Sequence, residues 1–295
     1  MDMRRAIVES SNVYFYTLAN EMGVDLIHDQ LSPFGFGRKT GIDVEGEVTG
    51  LLPSTEWKRR AYKKPEQKKW YAGETISLGI GQGYNSFTML QMATAMATLS
   101  SAGKRYEPRL VRQIDDVLTG AQRKVSAQAL KPVELKPEQV DVIREAMNGV
   151  TIAGTSARVF AGAGYQSGGK TGTAQAVGLK QNEKYSAHRV DEHLRDHALY
   201  IAFAPLADPQ IAVAVIVENA GWGAGAAAPI ARRLFDFMLL GRVPSEEDIA
   251  ATKSGTSAAP IGQPRNVQDL VLPGSGSAPS AAAAMIGAAS APATS

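Results

Sequence analysis

The sequence contains no cysteine, which excludes disulfides and thiolate metal sites. That absence suits an oxidising compartment without requiring one. Charge of one sign is also lacking: 31 Lys and Arg stand against 29 Asp and Glu, a net charge of +2. A field that weak gives no general affinity for nucleic acid or an acidic membrane. No apolar run reaches the length of a spanning helix. Met1-Asp2-Met3-Arg4-Arg5 is not followed by the apolar core of a signal peptide, so the expectation is no export signal or anchor in this chain. What is present is 295 residues, 44% of them hydrophobic, enough for one large domain or two small ones.

The stretch that organises the rest is Ser167-Gly168-Gly169-Lys170-Thr171-Gly172-Thr173-Ala174. It predicts a short strand whose glycines leave room for a ligand or another backbone. Lys170 offers a positive charge, and Thr171 and Thr173 offer hydroxyls, so an extended substrate bearing a carboxylate could pair along this edge. Gly164 through Thr171 also fits G-x-x-x-x-G-K-[ST]. A phosphate cradle needs a buried strand before it and a helix after it. Val159-Phe160-Ala161 is a poor buried strand, and Gly172-Thr173-Ala174-Gln175-Ala176-Val177-Gly178 does not open a helix, so the nucleotide reading fails.

Residues 1–22 predict helix, break, helix, with Ser10-Ser11-Asn12 in the break, Asn12 as N-cap and Gly23 as stop. Lys58-Arg59-Arg60, Lys63-Lys64 and Lys68-Lys69, interleaved with Trp57, Tyr62, Trp70 and Tyr71, fit a solvated loop better than a nucleic-acid surface. Gly79-Ile80-Gly81-Gln82-Gly83 precedes a helix with Met89, Met92, Ala93, Met96 and Leu99 on one face, an ordinary core stripe. Residues 105–136 predict irregular chain with short strands, and Pro137 opens a helix with Val140, Ile143 and Met147 inward. Two Ser-x-x-Lys matches occur. Ser101-Ala102-Gly103-Lys104 sits at a helix end, and strand geometry spreads Ser167 from Lys170; neither suits a nucleophile at the head of a helix.

Residues 178–197 predict a polar insertion with His188, His193 and His197. His193-Leu194-Arg195-Asp196-His197 resembles an inverted zinc-protease motif, but Asp196 stands where Glu is required and no third ligand follows by spacing, so no metal is expected. Ala198–Ala204 and residues 210–217 predict a hairpin. With the Lys170 strand they form a three-stranded antiparallel meander, crossed by an amphipathic helix over residues 227–240. From about residue 244 the chain turns to Ala, Ser, Pro and Gly and is expected to be disordered. The expected division is therefore 1–243, an ordered part, and 244–295, a disordered Ala/Ser/Pro/Gly-rich tail.

Ser10-x-Asn12, then Gly81-Gln82-Gly83 before a helix, then Lys170-Thr171-Gly172-Thr173 resemble, in that order, the motif set of the penicillin-binding transpeptidases. Ser11-Asn12-Val13-Tyr14-Phe15-Tyr16, Phe34-Gly35-Phe36-Gly37, Thr40-Gly41-Ile42-Asp43, Ile80-Gly81-Gln82-Gly83-Tyr84, Leu194-Arg195-Asp196-His197 and Ala202-Phe203-Ala204-Pro205 are similar to the penicillin-binding protein 2 group of the class B enzymes of Gram-negative bacteria. The resemblance spans about residues 4–241. It implies an α+β fold like that of serine β-lactamases: an antiparallel sheet flanked by helices, with a helical subdomain, incomplete here at the N-terminus.

The implied activity is D,D-transpeptidation. A serine attacks the penultimate D-Ala carbonyl of a stem peptide and passes the acyl group to a neighbouring amine, and β-lactams acylate the same serine. By motif, Ser10 would relay protons, Asn12 would orient the substrate amide, and Lys170 would set the electrostatics. Thr171, Gly172 and Thr173 would hold the substrate, with the Thr173 N–H in the oxyanion hole. The family's Ser-x-x-Lys nucleophile lies upstream of Ser-x-Asn. Nothing before Ser10 supplies it, so the chain alone is expected to be inactive; the alternative is a truncated remnant or partner-binding module. Some family members bind zinc through a cysteine where Ser11 stands. No cofactor is implied. The implied partners are peptidoglycan stem peptides, β-lactams, and a SEDS-family glycan polymerase of the elongation complex. The implied location is the periplasmic face of the inner membrane.

Overall fold

The structure, a computed structural model, describes residues 1–175, 191–256 and 258–269. They fall into two units, Met1–Arg144 and Glu145–Ser295.

In the first unit Asp2 caps α1 (Met3–Val8), its carboxylate accepting the Arg5 N–H at 2.8 Å. The chain breaks at Ser10 and resumes in α2 (Asn12–Leu31). The N-cap is Ser11 rather than Asn12, because the left-handed Ser10 (φ 56°) delivers Ser11 in the extended conformation a cap needs. Gly23 (φ 75°, ψ 158°) interrupts α2 as expected of a residue without Cβ, and helix resumes beyond it.

A 3₁₀ turn, Ser32–Phe34, leads by a loop to α3 (Thr55–Ala61), capped by Ser54. There follow α4 (Pro65–Lys68), α5 (Ala72–Leu78) and α6 (Met89–Ser100). The basic run is not simply a solvated loop. Lys58 is 2% exposed, its ammonium bonded to Glu74 and set 5.3, 5.3 and 5.5 Å from the rings of Trp70, Tyr71 and Tyr84. The aromatics cover the aliphatic stem, and their faces attract the charge. Burial pushes the Glu74 carboxyl up, but hydrogen bonds from Lys58, the Tyr71 N–H and the Tyr84 hydroxyl outweigh it and hold it below its ordinary value.

Helix α6 buries a different face from the methionine stripe. Met96 is buried, but so are Gln91, Ala95 and Thr98, while Met89, Met92, Ala93 and Leu99 are only partly covered. Gln91 can be buried because its amide N–H groups reach the Arg38 and Thr49 carbonyls at 2.6 and 2.8 Å. The short strands expected over 105–136 are present. Strand β1 (Arg105–Tyr106) pairs with β4 (Ala129–Leu130), and β2 (Gln113–Asp115) pairs with β3 (Gln122–Lys124), both antiparallel. Helix α7 (Pro137–Ile152) buries Val140, Met147 and Val150 and leads into the second unit.

The second unit is the sheet. After α8 (Ala157–Phe160) come β5 (Gly168–Ala174), β6 (His197–Ala204) and β7 (Ile211–Val217) in the order β5-β6-β7, all antiparallel. This is the expected meander. Helix α9 (Gly223–Leu240) packs on it, burying Ala227, Ala228, Ala231 and Phe235 against Tyr200, Ala202 and Ala198 of β6. The helix starts four residues earlier than residue 227, where the small Gly223-Ala224-Gly225-Ala226 run lets its first turn form close to the Gly172–Leu199 pair.

Order does not stop at 243. Strand β8 (Arg242–Val243) pairs with β9 (Arg265–Asn266), enclosing α10 (Glu246–Lys253). Ser245 caps α10 by accepting the Asp248 N–H, and the fully buried Asp248 carboxylate takes a two-pronged bond from Arg233 of α9. These polar bonds replace the apolar content that the composition lacks. The expected disorder beyond 269 lies outside the described residues, as do His188 and most of the polar insertion.

Candidate active site

Strand β5 takes its shape from glycines, and the reason differs from the expected one. A Cβ on Gly169 would sit 2.0 Å from the Tyr200 hydroxyl, and one on Gly168 would sit 2.4 Å from the Phe203 ring. The bare positions therefore admit aromatic rings of the neighbouring strand. Tyr200 is fully buried, and its hydroxyl lies 2.9 Å from Ser156 Oγ. Burial pushes the phenol pKa well up, against a smaller opposing effect of the Ser156 bond. Tyr200 thus acts as a neutral strut beneath β5.

The start of β5 is tied to α7. The Ser167 carbonyl accepts from Asn148 Nδ2 at 2.8 Å and from Thr151 Oγ1 at 2.9 Å, all of them buried. Alternation along the strand places Lys170 with Gly168 and Gly172 on one face, and Thr171 and Thr173 with Gly169 on the other. Thr171 Oγ1 lies 2.9 Å from Thr155 Oγ1. If Thr155 donates, the Thr171 proton is free to point at an acceptor outside the strand. Thr173 is exposed. Strand β5 is the sheet's edge, paired only with β6 among the described residues. A backbone edge, two hydroxyls and an ammonium therefore fall within four residues, the ammonium on one face of the strand and the hydroxyls on the other.

Lys170 Nζ donates to the Thr171 carbonyl at 3.0 Å. Burial lowers its pKa from the ordinary 10.5 to about 8. The ammonium is still the major form at neutral pH, but it is held against a desolvation cost that an incoming anion would relieve.

The approach to β5 is fixed from α9. Arg232 donates from Nε to both oxygens of Asp236 at 2.9 Å, and from Nη1 to the Val159 and Ala161 carbonyls at 3.0 and 3.2 Å. The Tyr165 hydroxyl donates to Asp236 at 2.9 Å. At the far end of β6, His197 Nδ1 accepts the Asn219 N–H at 3.0 Å, so the second histidine of the expected metal-like motif serves a turn.

Ser10 and Asn12 are built by the first unit. The Ser10 N–H donates to the Ile7 carbonyl at 3.3 Å and the Ser11 N–H to Ala6 at 2.9 Å, closing α1. A left-handed serine costs on the order of 1 kcal/mol and persists only where its surroundings demand it. Ser10 is partly buried and Asn12 is exposed at the first turn of α2. The structure thus sets Ser10 and Asn12 together on one turn, and Lys170, Thr171, Gly172 and Thr173 together on one strand. The residues that sequence reasoning missed are the supports: Asn148, Thr151, Thr155, Ser156 and Tyr200. Asn148 had a signal, since it is an amide next to Met147 on the inward stripe of α7. Neither Ser-x-x-Lys match opens a helix: Ser101 is the C-cap of α6, its hydroxyl donating to Ala97 at 2.6 Å, and Ser167 is buried before a strand.

A profile of the penicillin binding protein transpeptidase domain matches residues 1–236. The chain belongs to the penicillin-binding protein transpeptidase family. The peptidoglycan D,D-transpeptidase MrdA of Haemophilus influenzae is 40% identical over 251 residues, 83% of this chain and 37% of the relative. The protein of the same name from Escherichia coli K12 is 38% identical over 262 residues, 88% of this chain and 40% of the relative. A crystal structure of Pseudomonas aeruginosa PBP2 in complex with WCK 5153 matches with TM-score 0.68 and 38% identity, over 81% of this chain and 49% of that one. PBP2 of Helicobacter pylori, solved in complex with MreC, matches with TM-score 0.62 and 25% identity, over 80% of this chain and 40% of that one. The chain therefore spans about two fifths of the curated transpeptidases it matches. These likenesses bear out the resemblance and the α+β fold expected from the motifs.

Proposed function

We propose that this chain carries the Ser-x-Asn and Lys-Thr-Gly motifs of a peptidoglycan D,D-transpeptidase that cross-links D-Ala-D-Ala stem peptides during cell elongation. The observation that carries the reading is the β5 edge: a largely desolvated Lys170 within the same four residues as the Thr171 and Thr173 hydroxyls, on the edge strand of a family fold. In the reaction a serine oxygen attacks the penultimate D-Ala carbonyl carbon. The tetrahedral adduct expels the terminal D-Ala, whose nitrogen takes the proton, and leaves an acyl-serine. A neighbouring stem amine then attacks the ester and releases the serine. Thr171 and Thr173 hold the terminal carboxylate, or that of a β-lactam. The Thr173 N–H donates to the developing oxyanion, with Gly172 keeping the strand bare beside it. Ser10 relays the leaving-group proton, Asn12 orients the substrate amide, and Lys170 provides the positive field. In this reading the nucleophile is neither Ser101 nor Ser167, and the reaction draws on a Ser-x-x-Lys helix that residues 1–295 do not contain.

By the same reading the protein works on the periplasmic face of the inner membrane beside a glycan polymerase. Among the described residues no helix is long and apolar enough to cross a membrane. The test joins this chain to the part of H. influenzae MrdA that it does not match and measures acylation by fluorescent penicillin. The folded chimaera should label. T171V/T173V should lower the acylation rate constant by about tenfold or more, the scale of a lost hydrogen bond to a carboxylate. A folded chimaera that never labels contradicts the proposal.

A further inference from the structure

Among the described residues, two arginines of the first unit have no carboxylate in an ion pair with them. Arg38 sits on the loop after the Ser32–Phe34 turn. Its Nη2 donates to the Ser32 carbonyl at 3.0 Å and to the Ser32 hydroxyl. Arg105 of β1 reaches the same turn, its Nη2 lying 3.6 Å from where a Cβ on Gly35 would stand. Its Nε is buried and meets no acceptor. Glu107, two residues along from Arg105, is turned against Gly41 instead. Burial, then the charge of Arg38, pushes Arg105 below its ordinary pKa. Buried guanidinium N–H groups are rarely left unbonded. Two like charges gathered on one turn, one of them half-buried, are stabilised by an anion that both can grip, and the guanidinium fork suits a tetrahedral or planar oxyanion.

We propose that Arg38 and Arg105 form a binding site for a doubly charged phosphate group, separate from the Lys170 strand. Two guanidiniums match two negative charges, and the exposure of Arg38 leaves the site open to solvent. The group can arrive as soluble phosphate or as a phosphate monoester lipid headgroup.

The test uses the full chain in phosphate-free buffer, titrated with inorganic phosphate by calorimetry and phosphorus NMR, and sedimented with vesicles with or without phosphatidic acid. Saturable binding is expected, weakened about tenfold or more in R38Q and R105Q and unchanged in K64Q, consistent with loss of one charge-assisted donor pair. R105K, which keeps the charge and loses the fork, should recover part of it. Binding of inorganic phosphate assigns the soluble source, and binding only to phosphatidic acid vesicles assigns the headgroup. Because Arg38 is exposed, R38Q reads on a folded chain even if R105Q does not fold. Absence of saturable binding, binding untouched by R38Q, or acetate binding as tight as phosphate would overturn the site.

Discussion

Lys170 is held where its charge is costly. Its folded pKa of about 8 lies below the 10.5 of the unfolded side chain. Between those values the unfolded state holds more protons, so stability rises with pH through that window and is lowest beneath it. Replacing the lysine with methionine removes the buried charge. K170M should therefore raise the unfolding free energy read from urea denaturation at pH 7, by at most about 3 kcal/mol, and the gain should fade between pH 8 and 10.5. A midpoint lowered at pH 7 would show that Lys170 is a net stabiliser rather than a functional group held at a cost. Gly169 sets the opposite constraint. G169A would drive a methyl into the buried Tyr200 hydroxyl, at about 2–3 kcal/mol in chemical denaturation; an unchanged midpoint would mean the strand can shift away freely. The need for Lys170 and its threonines is visible in the order of residues. The need for Gly169 is not, because its partner Tyr200 is distant in the chain and reaches it only through strand register.

At the scale of elements, β6 and β7 announce themselves as apolar runs about a short turn, and α9 by its helical spacing of apolar residues. Lys58 and Asp248 do not, since burial of a charge depends on a partner brought from elsewhere: Glu74 with three aromatic rings in one case, Arg233 in the other. The order of α10 did carry a local sign. Ser245-Glu246-Glu247-Asp248 has a capping residue followed by acidic residues in the first turn, and the low apolar content around it masked the signal. If the Asp248–Arg233 pair docks this helix, D248A should expose residues 244–264 to limited proteolysis and faster hydrogen exchange, with a loss of about 2–4 kcal/mol. The β5–β7 amides should keep their protection. R233M/D248L should recover much of the loss, because the penalty of D248A is a stranded guanidinium. Equal loosening of the sheet and of α10 would contradict this division.

For the whole molecule, the family follows from a set of short motifs whose order no single motif could establish; the family profile matches residues 1–236, and the fold agrees over 81% of the chain. In the proposed reading the motifs mark the residues that face chemistry. They do not show the supports, Asn148, Thr151 and Ser156, whose value lies in reaching buried groups across tertiary contacts. By the proposed reading, this chain holds the Ser-x-Asn and Lys-Thr-Gly motifs of a transpeptidase and no nucleophile of its own. The most direct measurement is incubation of the purified, folded chain with fluorescent penicillin, followed by intact-mass analysis and peptide mapping. The account predicts an unmodified mass. A covalent penicilloyl adduct on Ser10, Ser101, Ser167 or any other serine would contradict it and would name the nucleophile.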